Sequence, residues 1–241
     1  QVICKHMEYA IATFCYGERY YSQTNRMIES FKHLQDKPKI FIVTDSPESI
    51  TKEEFVFVSH IKDYDEKYVT YNTNYYDFDF SVKRFSVKFA LDNGFTKIIL
   101  TDTDVILNKT LFTNENVLKC FIPNSVAGQV TYLFEKEIET NSMLGRRFIH
   151  YENKFNVQYN KVDMWMPEDC VQFLNIDKEK FYSFLTTWDN CIKIKYSDNL
   201  YNIPAGNIDE MCFSAFYNGI ELKNNSNIHI NLLTPHHDKW Y

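Results

Sequence analysis

Glycine and proline are scarce, six of each in 241 residues. A chain so poor in both is neither collagen-like nor a low-complexity linker. Six cysteines are present, at positions 4, 15, 120, 170, 191 and 212, and no two form a C-x-x-C pair. Zinc-site and disulfide-scaffold spacings are therefore missing, and the simplest expectation is buried thiols in a reducing, cytoplasmic compartment. No apolar run approaches the roughly 18 residues that a membrane span needs. Basic charge is also short. Lys and Arg number 26 against 32 Asp and Glu, a net charge of −6, so the footprint of a nucleic-acid-binding protein is absent. A small anionic substrate is still allowed, because a metal and a few local cations suffice for it.

What is abundant is apolar and aromatic: 44% hydrophobic residues, with 20 Phe and 17 Tyr. That is enough for one large α/β domain over 1–241 with a sizeable core. No linker or internal repeat divides it. The chain begins with Gln rather than Met, which is compatible with a domain of a longer protein. The glycosylation sequons at Asn108 and Asn224 are read as chance matches.

The most informative stretch is Lys97 to Leu107, Lys-Ile-Ile-Leu-Thr-Asp-Thr-Asp-Val-Ile-Leu. An apolar, β-branched run is the pattern of a buried strand in a parallel sheet. Open α/β sheets bind ligands at the carboxyl ends of their strands. Asp102 and Asp104 would stand at such an end. Two carboxylates there repel each other unless a cation lies between them, and a hard divalent ion that also takes phosphate oxygens fits that need. An Asx-rich turn is the plain alternative for the same residues.

Around that stretch the order of elements is that of a doubly wound sheet. Strands are expected at 8–15, 39–44 and 55–59. A helix follows the Tyr16-Gly17 turn, with Thr24, Met27, Ile28, Phe31 and Leu34 on one face. Helical spacing returns over 81–93 and stops at Gly94, with Arg84 and Lys88 on one of its faces. Further on, 171–174 reads as a strand, 177–185 and 207–217 as helices, and 228–233 as a last strand. Residues 68–80 and 135–166 show no readable period.

These segments together resemble the nucleotide-sugar glycosyltransferases of the type A fold, closest in layout to the glycogenin-like and bacterial galactosyltransferase-like group. The likeness is carried by the opening strand with Gly17 to Tyr21, by Phe85 to Leu107 with its D-x-D, and by Phe173 to Phe181. Asn207 to Glu210 and His236 to Trp240 complete it. It implies a single-domain, Rossmann-like, mostly parallel sheet flanked by helices, with a nucleotide-binding half over about 1–110 and a half for donor sugar and acceptor over about 111–241. It also implies transfer of a sugar from a nucleoside diphosphate sugar to a hydroxyl of an acceptor, which we expect to be a glycan. The likeness leans to retention of configuration. Glu168-Asp169-Cys170 departs from the Asn-(Ala/Ser)-Gly that the family has at this point.

The resemblance implies a role for each candidate. Asp102 and Asp104 would hold Mn²⁺ or Mg²⁺ with His236 or His237, with His229 behind them. Thr103, Arg84, Lys88 and Lys239 would serve the diphosphate, and Thr13 and Tyr16 the base and ribose; the plain alternatives are a solvated helix face for Arg84 and Lys88, a surface position for Lys239 and core packing for Tyr16. Glu168 and Asp169 would face the donor sugar, with Glu210 at the reacting centre and Asp209 on the sugar hydroxyls. Asn207 and Glu210 also form a capping-box pattern, an ordinary helix start. Two rivals share the motif. A haloacid-dehalogenase-type phosphatase would use Asp102 as nucleophile, and a non-catalytic sugar-binding domain would keep the fold without turnover.

Overall fold

A computed structural model describes residues 7–64, 82–133, 143–160, 165–200, 208–225 and 232–235. Among these, β1 (Ala10–Cys15), β2 (Lys39–Thr44), β3 (Val56–His60) and β4 (Lys97–Thr101) form the parallel half of a sheet. The order across that half is β3-β2-β1-β4, and it continues through β7 (Trp165–Asn175), β6 (Ser125–Leu133) and β8 (Glu221–Asn224). β7 runs antiparallel to both neighbours, whereas β8 is parallel to β6. The sheet is thus mostly parallel and mixed, as expected.

Successive strand residues feed opposite faces, because side chains alternate along a strand. Ile11, Ile40, Ile42 and Phe173 pack on one face with Met27, Ile28 and Phe31 of α1 (Glu18–Phe31). Ala10, Ala12, Phe41 and Leu174 pack on the other with Val87, Ala90 and Leu91 of α2 (Lys83–Asp92). Burial of each large side chain contributes roughly 1.5–3 kcal/mol. α1, which follows β1, and α2, which precedes β4, therefore cover different faces. The strand order reverses between β1 and β4. That reversal opens a crevice at their carboxyl ends, where Thr13 donates its hydroxyl hydrogen to the Thr101 carbonyl at 2.9 Å.

Past β4 the chain turns through Thr103 and Asp104 into β5 (Val105–Leu107) and then α3 (Asn114–Lys119). Thr113 caps α3, accepting from the Asn116 amide at 3.2 Å. α4 (Met143–Phe155) lies within the span whose period was unreadable. Phe148 and Tyr151 supply its core stripe, but Arg147 and Glu152 share the buried side and blur the pattern. α5 (Lys178–Ser197) runs well past the expected stop near Leu185, because Trp188, Cys191 and Ile192 continue its buried stripe. α6 (Ile208–Tyr217) packs Met211, Cys212 and Phe213 into the same core.

A two-stranded ribbon pairs β5 with β9 (Leu233–Pro235), and most of the strand expected at 228–233 lies outside the described residues. Residues 226–231 and 68–80 lie outside the described residues. Cys15, Cys120, Cys191 and Cys212 are buried thiols. Among the described residues no helix is long and apolar enough to cross a membrane.

Candidate active site

The crevice is built from the ends of β1, β4 and β7 and the start of α2. Asp102 directly follows the buried Thr101, so β4 delivers it to the sheet edge. Its carboxylate meets the Lys83 ammonium, Nζ to Oδ1 at 2.5 Å, with the Lys83 side chain 10% exposed and that of Asp102 28%. Thr103 is buried and donates its hydroxyl hydrogen to Gln23 Oε1 of α1 at 3.0 Å. That bond locks the middle of the D-x-D turn to the helix beneath it, leaving Asp102 and Asp104 half-buried on either side.

Lys83 was not anticipated, although the helix period contains it. Lys83, Val87 and Ala90 are spaced i, i+4, i+7, a single stripe, and Val87 and Ala90 are fully buried against the sheet. The two cations expected here have other partners. Arg84 sends its guanidinium to Asp189 of α5, with Nη2 at 3.0 Å and Nε at 3.3 Å from Oδ1. Lys88 pairs with Asp92 one turn along α2, on the exposed face. Adjacent helical residues point about 100° apart, so of Lys83 and Arg84 only one can face β4.

At the end of β1, Gly17 adopts φ +88 and its amide donates to Asp45 Oδ1 at 3.1 Å, tying the first turn to the end of β2. Tyr16 is half-buried and stacks on Phe14, centroids 6.3 Å apart. Thr13 is fully buried, its hydroxyl committed to Thr101. Glu168 and Asp169 fall where the β6–β7 register slips. Gly128 pairs with Gln172 but Val130 pairs with Pro167, so the intervening stretch of β7 bulges. Thr101 pairs with Val171, which puts the backbone of that bulge at the Asp102 end of β4.

The ribbon brings in the far end of the chain, since Val105 pairs with Pro235. Pro235 is thus registered one residue from Asp104. His229, His236, His237 and Lys239 lie outside the described residues. Among the described residues, no group of three His, Cys, Asp or Glu could hold a metal ion. Asp102 and Asp104 offer carboxylate oxygens, the donor type that suits Mg²⁺ and Mn²⁺.

Asp209 and Glu210 are enclosed by protein. Both are fully buried at the start of α6, between α4 and α5. Glu210 Oε1 lies 3.1 Å from the Lys195 ammonium and accepts from the Tyr151 hydroxyl at 3.2 Å. Asp209 Oδ1 lies 3.5 Å from Arg147 Nη1. Among the described residues, neither Asp209 oxygen has a hydrogen-bond partner, nor has Glu210 Oε2. Burial, and then the charge of Glu210, push the Asp209 carboxyl well above the usual range. Asp209 therefore keeps its proton to higher pH than a free aspartate does. Neither carboxylate has surface open to a sugar in this arrangement, and Arg147, Lys195 and Tyr151 were not anticipated from the sequence.

The strand order, the switch-point crevice and the D-x-D turn together define a type A glycosyltransferase fold. Solved structures share it. Mouse xyloside xylosyltransferase 1 in its apo form matches at 9% identity and a TM-score of 0.50, over 90% of this chain and 84% of that one. The galactosyltransferase LgtC, in complex with donor and acceptor sugar analogues, matches at 9% identity and 0.53, over 89% and 72%. An active-site mutant of LgtC matches at 8% identity and 0.52 over the same shares. No protein-family model matches the chain, and no curated protein matches it in sequence.

Proposed function

We propose that this protein transfers a sugar from a nucleoside diphosphate sugar to an acceptor hydroxyl, with Mn²⁺ or Mg²⁺ as cofactor. The observation that carries the reading is the paired carboxylates of Asp102 and Asp104 at the β1/β4 switch point, faced by a nearly buried lysine. Asp102 and Asp104 would hold the metal, with His236 or His237 as third ligand. Pro235 supports the choice, being paired with Val105 and joined directly to His236. When bound, a divalent ion there would offset charge on the departing diphosphate as a Lewis acid.

The chain's own groups do the rest. Lys83 neutralises Asp102 before donor arrives and can turn its ammonium to a phosphate oxygen afterwards, a point charge on a flexible stem. Thr103, held by Gln23, keeps the turn rigid so that both carboxylates stay aimed at the crevice. The β7 bulge at Glu168 and Asp169 offers backbone groups released from the ladder beside the sugar. The acceptor is a glycan in this reading, and retention of configuration is the preferred outcome.

The test is nucleotide binding. Wild type should gain thermal stability from uridine or guanosine diphosphate only when Mn²⁺ or Mg²⁺ is present. A ligand at 100 times its dissociation constant adds about 2.7 kcal/mol. Asp102→Asn and Asp104→Asn should abolish that gain and sugar transfer while the apo protein stays folded. Near-normal transfer by either variant would overturn the metal–diphosphate reading. A phosphoenzyme in wild type that Asp102→Asn removes would establish the phosphatase.

A further inference from the structure

A second concave site, lined by none of Asp102, Thr103 and Asp104, lies in the groove between α2 and α5, with a volume of about 400 Å³. It is built from regular structure. Tyr182, Leu185, Thr186, Asp189, Asn190 and Lys193 form one stripe of α5 at helical spacing. Arg84, Phe85 and Lys88 face them from α2, and Tyr64 after β3 closes one end. Two bonds span the groove and fix its walls. Arg84 reaches Asp189 at 3.0 Å, and the Tyr182 hydroxyl donates to Asp92 Oδ1 at 2.9 Å. The site is therefore pre-formed, and its volume is at the small end of the ~300–1,000 Å³ typical of ligand clefts.

Its chemistry discriminates between ligands. Three cations line it, but each already has a carboxylate. Arg84 and Lys193 share the two oxygens of Asp189, Lys193 at 2.7 Å, and Lys88 holds Asp92. A phosphate would have to break charge-assisted pairs to bind, so this is no anion site. Tyr64 and Tyr182 instead offer rings with an apolar face and a polar edge, and Phe85 backs Tyr64 in a stack with centroids 4.9 Å apart. Tyr182 and Asn190 are exposed, and Asp189 stands half-buried beside them. Aromatic faces next to the Asn190 amide, which both donates and accepts, suit a ring with hydroxyls on its edge and C–H groups on its face.

We infer that this groove is a second carbohydrate site, holding one or two neutral sugar units of an oligosaccharide. Consecutive residues of α2 serve the two places, Lys83 turned to Asp102 and Arg84 to the groove. That the bound sugars belong to the acceptor rests on the transferase reading above. The binding itself does not.

Saturation-transfer NMR on the full chain, with neutral tetrasaccharides of glucose, mannose, galactose and N-acetylglucosamine, tests the site. At least one should bind, and Tyr182→Ala or Asn190→Ala should weaken it tenfold or more. Both substitutions are at exposed positions, and circular dichroism would check the fold. Metal-dependent nucleotide stabilisation should be unchanged in both variants. If no tetrasaccharide binds, if both variants bind as wild type does, or if inorganic phosphate displaces the sugar, the inference is overturned. Loss of nucleotide binding in Asp102→Asn bears only on the donor site, so the two readings fail separately.

Discussion

Replacing Glu210 by Gln separates a helix cap from a buried ion pair, because the two roles predict losses of different size. Gln keeps the volume and can still cap, so a capping role makes the change mild, below the ~0.5–2 kcal/mol of a lost cap. In the structure, however, Glu210 is fully buried with Lys195 1% exposed and 3.1 Å away. Removing one partner of such a pair leaves a charge in the interior and costs about 3–5 kcal/mol. A domain of this size has about 5–15 kcal/mol in total, so the variant should unfold at a visibly lower denaturant concentration. Asp209, relieved of its neighbour's charge, would ionise more readily beside Arg147 and Lys195, which softens the loss as pH rises. Urea unfolding at several pH values is the assay, with Glu210→Gln, Lys195→Met and the double variant. The double variant should lose well under the sum of the singles, since an apolar side chain can replace a buried charge at little cost once its partner is gone. Additive losses, or a Glu210→Gln deficit below about 1 kcal/mol, would refute the ion-pair account.

Three further outcomes are expected. The raised Asp209 carboxyl makes stability fall as pH rises, because the folded state keeps a proton that the unfolded chain has released; the fall runs from about pH 4, where a free Asp ionises, up to the raised folded value. Asp209→Asn should flatten that slope in unfolding measured across pH, and an unchanged slope would assign the proton elsewhere. Gly94 sits at φ +94, and a methyl added there would meet nothing within 4 Å, so Gly94→Ala should cost about 1–2 kcal/mol from backbone strain alone; a neutral result in urea unfolding would contradict the turn geometry. Ending the chain after Pro235 should leave the fold but weaken Mn²⁺-dependent nucleotide binding, read by calorimetry; unchanged binding would remove His236, His237 and Lys239 from the site.

Much of the first 110 residues was legible because their elements obey simple periods. Ile40 to Val43 and Ile98 to Leu100 are apolar runs buried on both faces, and Met27, Ile28 and Phe31 mark α1 at 3.6-residue spacing. What could not be read is where charge enters the interior. Arg147 and Glu152 on α4, and Lys195 on α5, occupy buried positions that a hydrophobic pattern scores as surface. The same effect hid Lys83, a charged residue on the core stripe of α2, behind Arg84 and Lys88, whose spacing advertised a face that turns out to meet α5 and solvent.

These interior charges share a feature with consequences for function. A buried charge is costly unless paired, and its partner is usually distant in sequence: Lys83 with Asp102, Arg84 with Asp189, Lys195 with Glu210. Period and propensity are local, whereas pairing is a property of the folded chain. Yet the three pairs differ in a way that the sequence could not rank. Lys83–Asp102 sits at the sheet edge with a carboxylate partly open to solvent. Lys195–Glu210 is enclosed, its side chains 1% and 0% exposed. Exposure of the acidic member, more than the presence of a carboxylate in a familiar order, is what separates the aspartate at the crevice from the glutamate that links α4, α5 and α6.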